Sequence, residues 1–238
     1  MFIFFTIFRY TDYYIFLKWT MGKKRSYQQY CSIARALDIV GERWTLLIVR
    51  DLLGGPRRYK DLQESLDGIG SNLLAARLKD LESAGLIESI KQPPPSSVKS
   101  YQLTARGRAL EPTVAALAHW GLELLAAPRQ KDHWQPQWNH VALKARFNPQ
   151  EAAGLSATYA FEIGGYPHYA VVKDGALANF EGTAPNPDLL LKASDEDFLR
   201  VVEGELNLKE AIQSGLISVE GSGESLLRMA KVFTPKHS

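Results

Sequence analysis

A chain of 238 residues, 45% hydrophobic and 23% charged, has room for two modest domains with a core each, and its composition excludes a disordered or collagen-like protein. The net charge of +2 hides a division: residues 21–127 hold 15 Lys and Arg against 11 Asp and Glu, whereas residues 128–238 hold 11 against 14. The basic excess travels with the N-terminal half, where contact with phosphates would require it.

In chain order, residues 1–20 are dense in aromatics but interrupted by Arg9, Asp12 and Lys18, with no cationic leader and no small-residue cleavage site. They read as neither a signal peptide nor a spanning helix. Met21 reads as the natural start, with a hydrophobic interaction arm as the alternative. Residues 22–25 are basic. A short helix is predicted over 32–40, broken by Gly41-Glu42-Arg43. A second is predicted over 44–53, with Trp44, Leu47, Ile48 and Leu52 facing inward. Gly54-Gly55-Pro56 stops it. Cys31, the single cysteine, cannot form an internal disulfide, and a reducing cytoplasm is the expected compartment. It reads as a small buried hydrophobe, with redox sensing as the alternative.

Residues 57–104 carry the most informative pattern. Leu62 and Leu66 stand four apart, the turn Asp67-Gly68-Ile69-Gly70 follows, and Leu74, Leu78 and Leu81 continue at spacings of 4 and 3. This is a helix-turn-helix, with Ser71 as the N-cap of the second helix. With the leucine stripe inward, Asn72, Ala76, Lys79 and Ser83 point outward and Arg77 lies on the flank. Such a face can enter a groove and touch base edges. Two extended runs, 86–92 and 98–103, surround Pro93-Pro94-Pro95-Ser96-Ser97 and place Lys91 and Lys99 near a β-wing tip. Arg57 and Arg58, at the entry, suit phosphate contact; a solvated cationic turn is the alternative.

Thr104 caps a further helix running to about residue 125, kinked near Pro112. Its seam of Leu110, Val114, Leu117, Gly121 and Leu124 is heptad-like and suits dimerisation, unless it packs on its own domain. Residues 128–138 read as a linker, with Trp134 and Trp138 in or just after its polar stretch. Beyond 139 the texture changes. Strands are predicted over 158–163, 169–173, 176–181 and 189–192, then a helix capped by Ser194 with Phe198, Val201 and Val202 on its apolar side. A helix over 208–214, a strand over 216–220 and a helix over 225–233 complete an α+β layer.

Several segments resemble HxlR-type winged-helix transcriptional regulators over roughly residues 28–125. They are residues 31–36, Gly41-Glu42-Arg43-Trp44-Thr45-Leu46-Leu47-Ile48, Arg58-Tyr59-Lys60-Asp61-Leu62, Ser71-Asn72-Leu73-Leu74-Ala75-Ala76-Arg77-Leu78, Gly85-Leu86-Ile87, and Tyr101-Gln102-Leu103-Thr104-Ala105-Arg106-Gly107. The resemblance implies a homodimer on a pseudo-palindromic operator, each recognition helix in a major groove and each wing on flanking backbone. Glu88 and Ser89 stand where the family often has arginine, and Ser100 where it tends to be acidic. Residues Pro187-Asp188-Leu189-Leu190-Leu191, Ser194-Asp195-Glu196-Asp197-Phe198, Gly204, Ala211-Ile212, Ser214-Gly215 and Val219-Glu220-Gly221 resemble small sterol-carrier-protein domains. That likeness implies an apolar-ligand pocket lined by residues such as Phe161, Phe180, Leu191, Phe198, Ile212 and Phe233, with a closed core as the alternative.

The expected organisation is an extra segment over 1–25, a mainly α winged helix-turn-helix domain over 26–127, a linker over 128–138, and an α+β sterol-carrier-like domain over 139–238. Its expected partners are double-stranded DNA, a second copy of itself and an apolar small molecule or lipid, with no membrane. The DNA-contact set is Arg57, Arg58, Ser71, Asn72, Ala75, Ala76, Arg77, Lys79, Lys91 and Lys99. No nucleophile elbow, phosphate loop, zinc-protease helix or paired-cysteine motif is present, so no cofactor, metal or enzymatic activity is expected. Gly68-Ile69-Gly70 is followed by Leu73 where a dinucleotide site needs glycine, and His133 and His140 lack acidic or cysteine companions. The rival reading is a lipid or small-molecule carrier whose winged helix serves protein contacts only; a third makes the C-terminal domain a ligand-free dimer brace.

Overall fold

The computed structural model describes residues 26–91, 98–125 and 133–234. The expectations for residues 1–25, the prolyl wing tip and linker residues 128–132 lie outside the described residues. The chain divides into two compact units between Glu111 and Pro112.

In the first unit, α1 (Ser32–Val40) ends where the Gly41 amide donates to the Leu37 carbonyl at 2.9 Å. It buries Ala34 but leaves Ile33 and Leu37 exposed. Cys31 precedes it and is exposed, not buried as expected, because it stands at the open helix N-terminus. Helix α2 is Thr45–Leu53; Trp44 lies outside it, as a cap residue at φ 78°. Its buried face is Thr45, Ile48, Val49, Asp51, Leu52 and Leu53, so the inward set differs from the sequence expectation. Leu47 is 40% exposed, since the face turns on Ile48 and Leu52. Asp51, buried, accepts from Arg50 Nε at 2.8 Å and from Ser65 Oγ at 2.6 Å, joining α2 to the next helix by a paired charge.

Strand β1 (Arg57–Arg58), α3 (Tyr59–Ser65), α4 (Ser71–Ser83), β2 (Ile87–Lys91) and β3 (Lys99–Leu103) follow. They make a helix-turn-helix and a three-stranded antiparallel sheet in the order β1-β3-β2. Leu62, Leu66, Ile69, Leu74, Leu78 and Leu81 are buried, which is the core the leucine spacing predicts. The cap of α4 is Gly70, not Ser71; Ser71 is already helical, and no side chain caps this end. Arg57 and Arg58 are strand residues facing Tyr101 and Ser100 rather than a plain turn.

The helix expected over 104–125 is interrupted. Thr104 does cap α5 (Ala105–Arg108), accepting from the Gly107 amide at 3.1 Å, but a turn at Ala109 and Leu110 separates it from α6 (Glu111–Gly121). Pro112 sits in the first turn of α6, where its missing N–H costs nothing. Gly107 is required by close approach: a Cβ there would stand 1.9 Å from the Leu86 carbonyl oxygen.

In the second unit, α7 (Asn139–Arg146) is a helix the sequence reading did not foresee. It is tied to the sheet where Asn179 Nδ2 donates to the His140 carbonyl at 2.7 Å, and to α6 where His119 Nδ1 lies 2.7 Å from the Ala145 carbonyl. Strands β4 (Ser156–Ile163), β5 (Tyr166–Lys173), β6 (Ala176–Glu181), β7 (Leu189–Ala193) and β8 (Ile217–Gly221) form one sheet in the order β6-β5-β4-β7-β8. Strands β4 and β7 are parallel, and the other neighbours antiparallel. Helices α8 (Asp195–Val202), α9 (Leu208–Gln213) and α10 (Gly223–Val232) contribute to the core around Tyr159, Phe161, Ile163, Leu189 and Leu191. Ser194 accepts from the Asp197 amide at 3.1 Å, and Asp195, Glu196 and Asp197 fill the first turn of α8. Val202, expected on the apolar side, is exposed at the last turn of that helix.

Candidate nucleic-acid interface and the C-terminal cleft

Helix α4 presents one long face to solvent. Leu74, Leu78 and Leu81 are buried, while Ser71, Asn72, Ala75, Ala76, Lys79 and Ser83 are exposed. An amide, two methyl-sized side chains and a cation are the chemistry that base edges accept in a major groove. The start of the helix is fixed by Tyr59, whose hydroxyl donates to the Ser71 carbonyl at 2.7 Å, while the Arg58 amide donates to Asp61 Oδ2 at 2.9 Å.

The wing adds a second cationic edge. Lys91 and Lys99 are cross-strand partners at the base of the tip, and both are exposed. Like charges placed directly opposite oppose strand pairing. Lys99 leans its ammonium over the Tyr101 ring, 5.0 Å from the centroid. Arg58 is exposed on β1, whereas Arg57 is half-buried and has an interaction of its own.

Arg77 of the expected set is engaged within the chain. Its guanidinium donates to Glu42 Oε2 at 2.8 Å and to Asp80 Oδ2 at 3.3 Å, and its side chain is only 17% exposed. The sequence points to neither this pairing nor the Asp51–Ser65 bond, because the partners lie 35 and 14 positions apart. Of the expected dimer seam, Val114 is buried within the chain and so is not free for a partner. Leu117 and Leu124 are 48% and 64% exposed, with Trp120 between them at 61%. Cys31 stands at the start of α1, where the backbone amides of Ala34 and Ile33 lower its thiol below the ordinary value.

Of the expected ligand-pocket set, Phe161 lines the cleft described below. Strand alternation turns Phe161 and Leu191 into the core, and Phe198, Ile212 and Phe233 pack against it. Phe180 is exposed and stacks on Tyr169, with centroids 5.0 Å apart. A cleft of about 390 Å³ lies beside the β6–β7 crossover. It is lined by Gly182, Thr183, Ala184 and Pro187 of that crossover and by strand residues including Ala160, Phe161, His168 and Leu190. Its size is at the lower end for sites that hold small organic molecules. His168 is buried, stacked on Phe161 at 5.1 Å, and neither ring nitrogen makes a hydrogen bond among the described residues. Among the described residues, no group of three or more His, Cys, Asp or Glu is placed to hold a metal ion, and no helix is long and apolar enough to cross a membrane.

The architecture is that of a winged helix-turn-helix unit followed by an α+β sheet unit. Residues 39–128 match the HxlR-like helix-turn-helix family and residues 140–234 the SCP-2 sterol transfer family. An uncharacterized HTH-type transcriptional regulator of Mycobacterium bovis is 40% identical over 97 residues, covering 41% of this chain and 61% of the relative. The uncharacterized HTH-type transcriptional regulator YvaP of Bacillus subtilis is 34% identical over 37% of this chain and 82% of its own length. The chain belongs to the HxlR-like helix-turn-helix family and carries a C-terminal SCP-2 domain. It spans about three fifths of the length of the mycobacterial relatives it matches. A MarR-family regulator structure from Porphyromonas gingivalis W83 is 28% identical, covering 42% of this chain and 97% of that one at a TM-score of 0.38, too low to bear on the fold.

Proposed function

We propose that the protein is a DNA-binding transcriptional regulator, a homodimer on a pseudo-palindromic operator, whose affinity is set by an apolar small molecule or lipid bound in the C-terminal domain. The observation that carries the reading is the exposed Asn72, Ala75, Ala76 and Lys79 face of α4 beside a wing whose Lys91 and Lys99 stand opposite each other. Facing lysines repel until an anion lies between them, and a phosphate backbone is such an anion. The recognition helix of each protomer enters a major groove, and Arg58, Lys91 and Lys99 hold phosphates. The cleft beside the β6–β7 crossover is the ligand seat. A ligand that prefers one arrangement of the protomers shifts the population toward it and changes operator affinity.

Footprinting of the full chain on its own upstream region tests this. Asn72→Ala relaxes base preference, while Lys99→Ala weakens all sequences alike and reduces the salt slope by about 0.9. Variants that footprint and titrate like the parent sink both assignments. No salt-dependent retention on random duplex would favour a carrier whose winged helix makes only protein contacts. Native mass spectrometry of freshly purified protein checks the other half, since a ligand-free brace carries no apolar molecule with it.

A further inference from the structure

We infer that Arg77 is a positioning residue for the recognition helix rather than a DNA contact, and that Glu42 is the residue it acts through. This rests on the DNA-binding reading above. A cation on the flank of a recognition helix invites assignment to a phosphate, but the geometry directs this one inward. Its fork bridges Glu42 on the corner between α1 and α2, at 2.8 Å, and Asp80 one turn along its own helix, at 3.3 Å. Its Nε is buried without a hydrogen-bond partner among the described residues. A guanidinium already held by two carboxylates has most of its charge answered before DNA arrives, and leaving them would expose both to the phosphates.

The corner that supplies Glu42 is built to hold position. Trp44 adopts φ 78°, a left-handed conformation rare for a bulky residue, and the Arg43 guanidinium lies 5.1 Å from the centre of its ring. The same indole reaches the helix-turn-helix turn, its Cη2 lying 3.8 Å from where a Cβ of Gly68 would stand. One corner therefore lies beside the turn before α4 through Trp44 and is bonded to the middle of α4 through Glu42. Two points of attachment fix the rotation of the helix about its axis, and that rotation decides whether Asn72, Ala76 and Lys79 face the same groove edge.

The test compares the full chain with Glu42→Gln and Arg77→Lys on two duplexes: one selected by the parent from a randomised library, and one of random sequence. Glu42 is 55% exposed, so its amide variant keeps the fold, and thermal midpoints confirm that for each protein. A strut predicts that both variants lose preference for the selected duplex by about fivefold or more, with the salt slope unchanged. Lysine keeps the charge but cannot span two carboxylates. A phosphate contact predicts the opposite: Arg77→Lys near the parent, Glu42→Gln equal or tighter through loss of a carboxylate, and Arg77→Ala lowering the salt slope by about 0.9. That second pattern overturns the assignment while leaving the DNA-binding reading intact. A parent that retains no duplex at all overturns the reading, and the assignment with it.

Discussion

His168 shows how a single side chain can be costly to the fold at one pH and harmless at another. Burial pushes its pKa from 6.5 down to about 4; the nearby Tyr166 backbone opposes this, and the neighbouring His140 adds slightly to it. Because the folded value lies below the unfolded one, the unfolded chain takes up a proton between these limits that the folded chain refuses. Stability is full above about pH 6.5 and falls as the pH drops toward about 4, by on the order of 3 kcal/mol. Replacing His168 by Phe, which can still stack on Phe161, flattens this part of the profile. Thermal unfolding midpoints between pH 7 and 4 check it, and parallel curves for variant and parent would refute it. At the same scale, Arg77 and Lys99 differ in kind although both are cations beside the expected interface: one is answered by carboxylates within the chain, and the other faces a second lysine.

At the scale of elements, α6 and the turn after it carry a stripe left exposed among the described residues. Leu117, Trp120 and Leu124 are exposed, while Val114 alone of the seam is buried. Isolated apolar residues at a surface are ordinary, but three at helical spacing on one short segment suit burial against a second copy. On the proposed dimer, the double variant Leu117→Glu with Leu124→Glu sediments as a monomer while its circular dichroism stays that of the parent, because neither side chain supports the core. An unchanged sedimentation coefficient would move the dimer contact elsewhere. The interruption at Ala109 and Leu110 belongs to this scale too. A heptad-like pattern over 104–125 is satisfied on paper by one long helix, yet the chain turns at Ala109 and Leu110, just after Gly107, where a Cβ would stand 1.9 Å from the Leu86 carbonyl oxygen.

At the scale of the whole molecule, regulation by a ligand in the C-terminal domain is a statement about coupling, and coupling is reciprocal. If removing the co-purified apolar molecule changes affinity for a selected duplex by some factor, adding that duplex changes the molecule's affinity by the same factor. Titrations in both directions, on delipidated and as-isolated protein, measure it. Equal DNA affinity of the two forms would leave the C-terminal domain without a regulatory part.

Much of this was legible in the residues alone. The leucine spacing of α3 and α4, the turn at Gly68, the two wing strands, the acid-rich capped start of α8 and the alternating strands of the second unit are local patterns, decided by side-chain periodicity within a dozen residues, and the structure has them all. What the chain order could not decide was which distant groups meet. Glu42 finds Arg77, Ser65 finds Asp51, and α7 docks on β6 only after folding brings segments far apart in sequence into contact. The same reason explains the pocket. Aromatic and aliphatic residues at the right spacing mark an apolar interior, but whether that interior is filled or hollow depends on volumes contributed by several elements at once. Here Phe198, Ile212 and Phe233 pack against Phe161 and Leu191, and a cleft that Phe161 also lines lies beside the crossover.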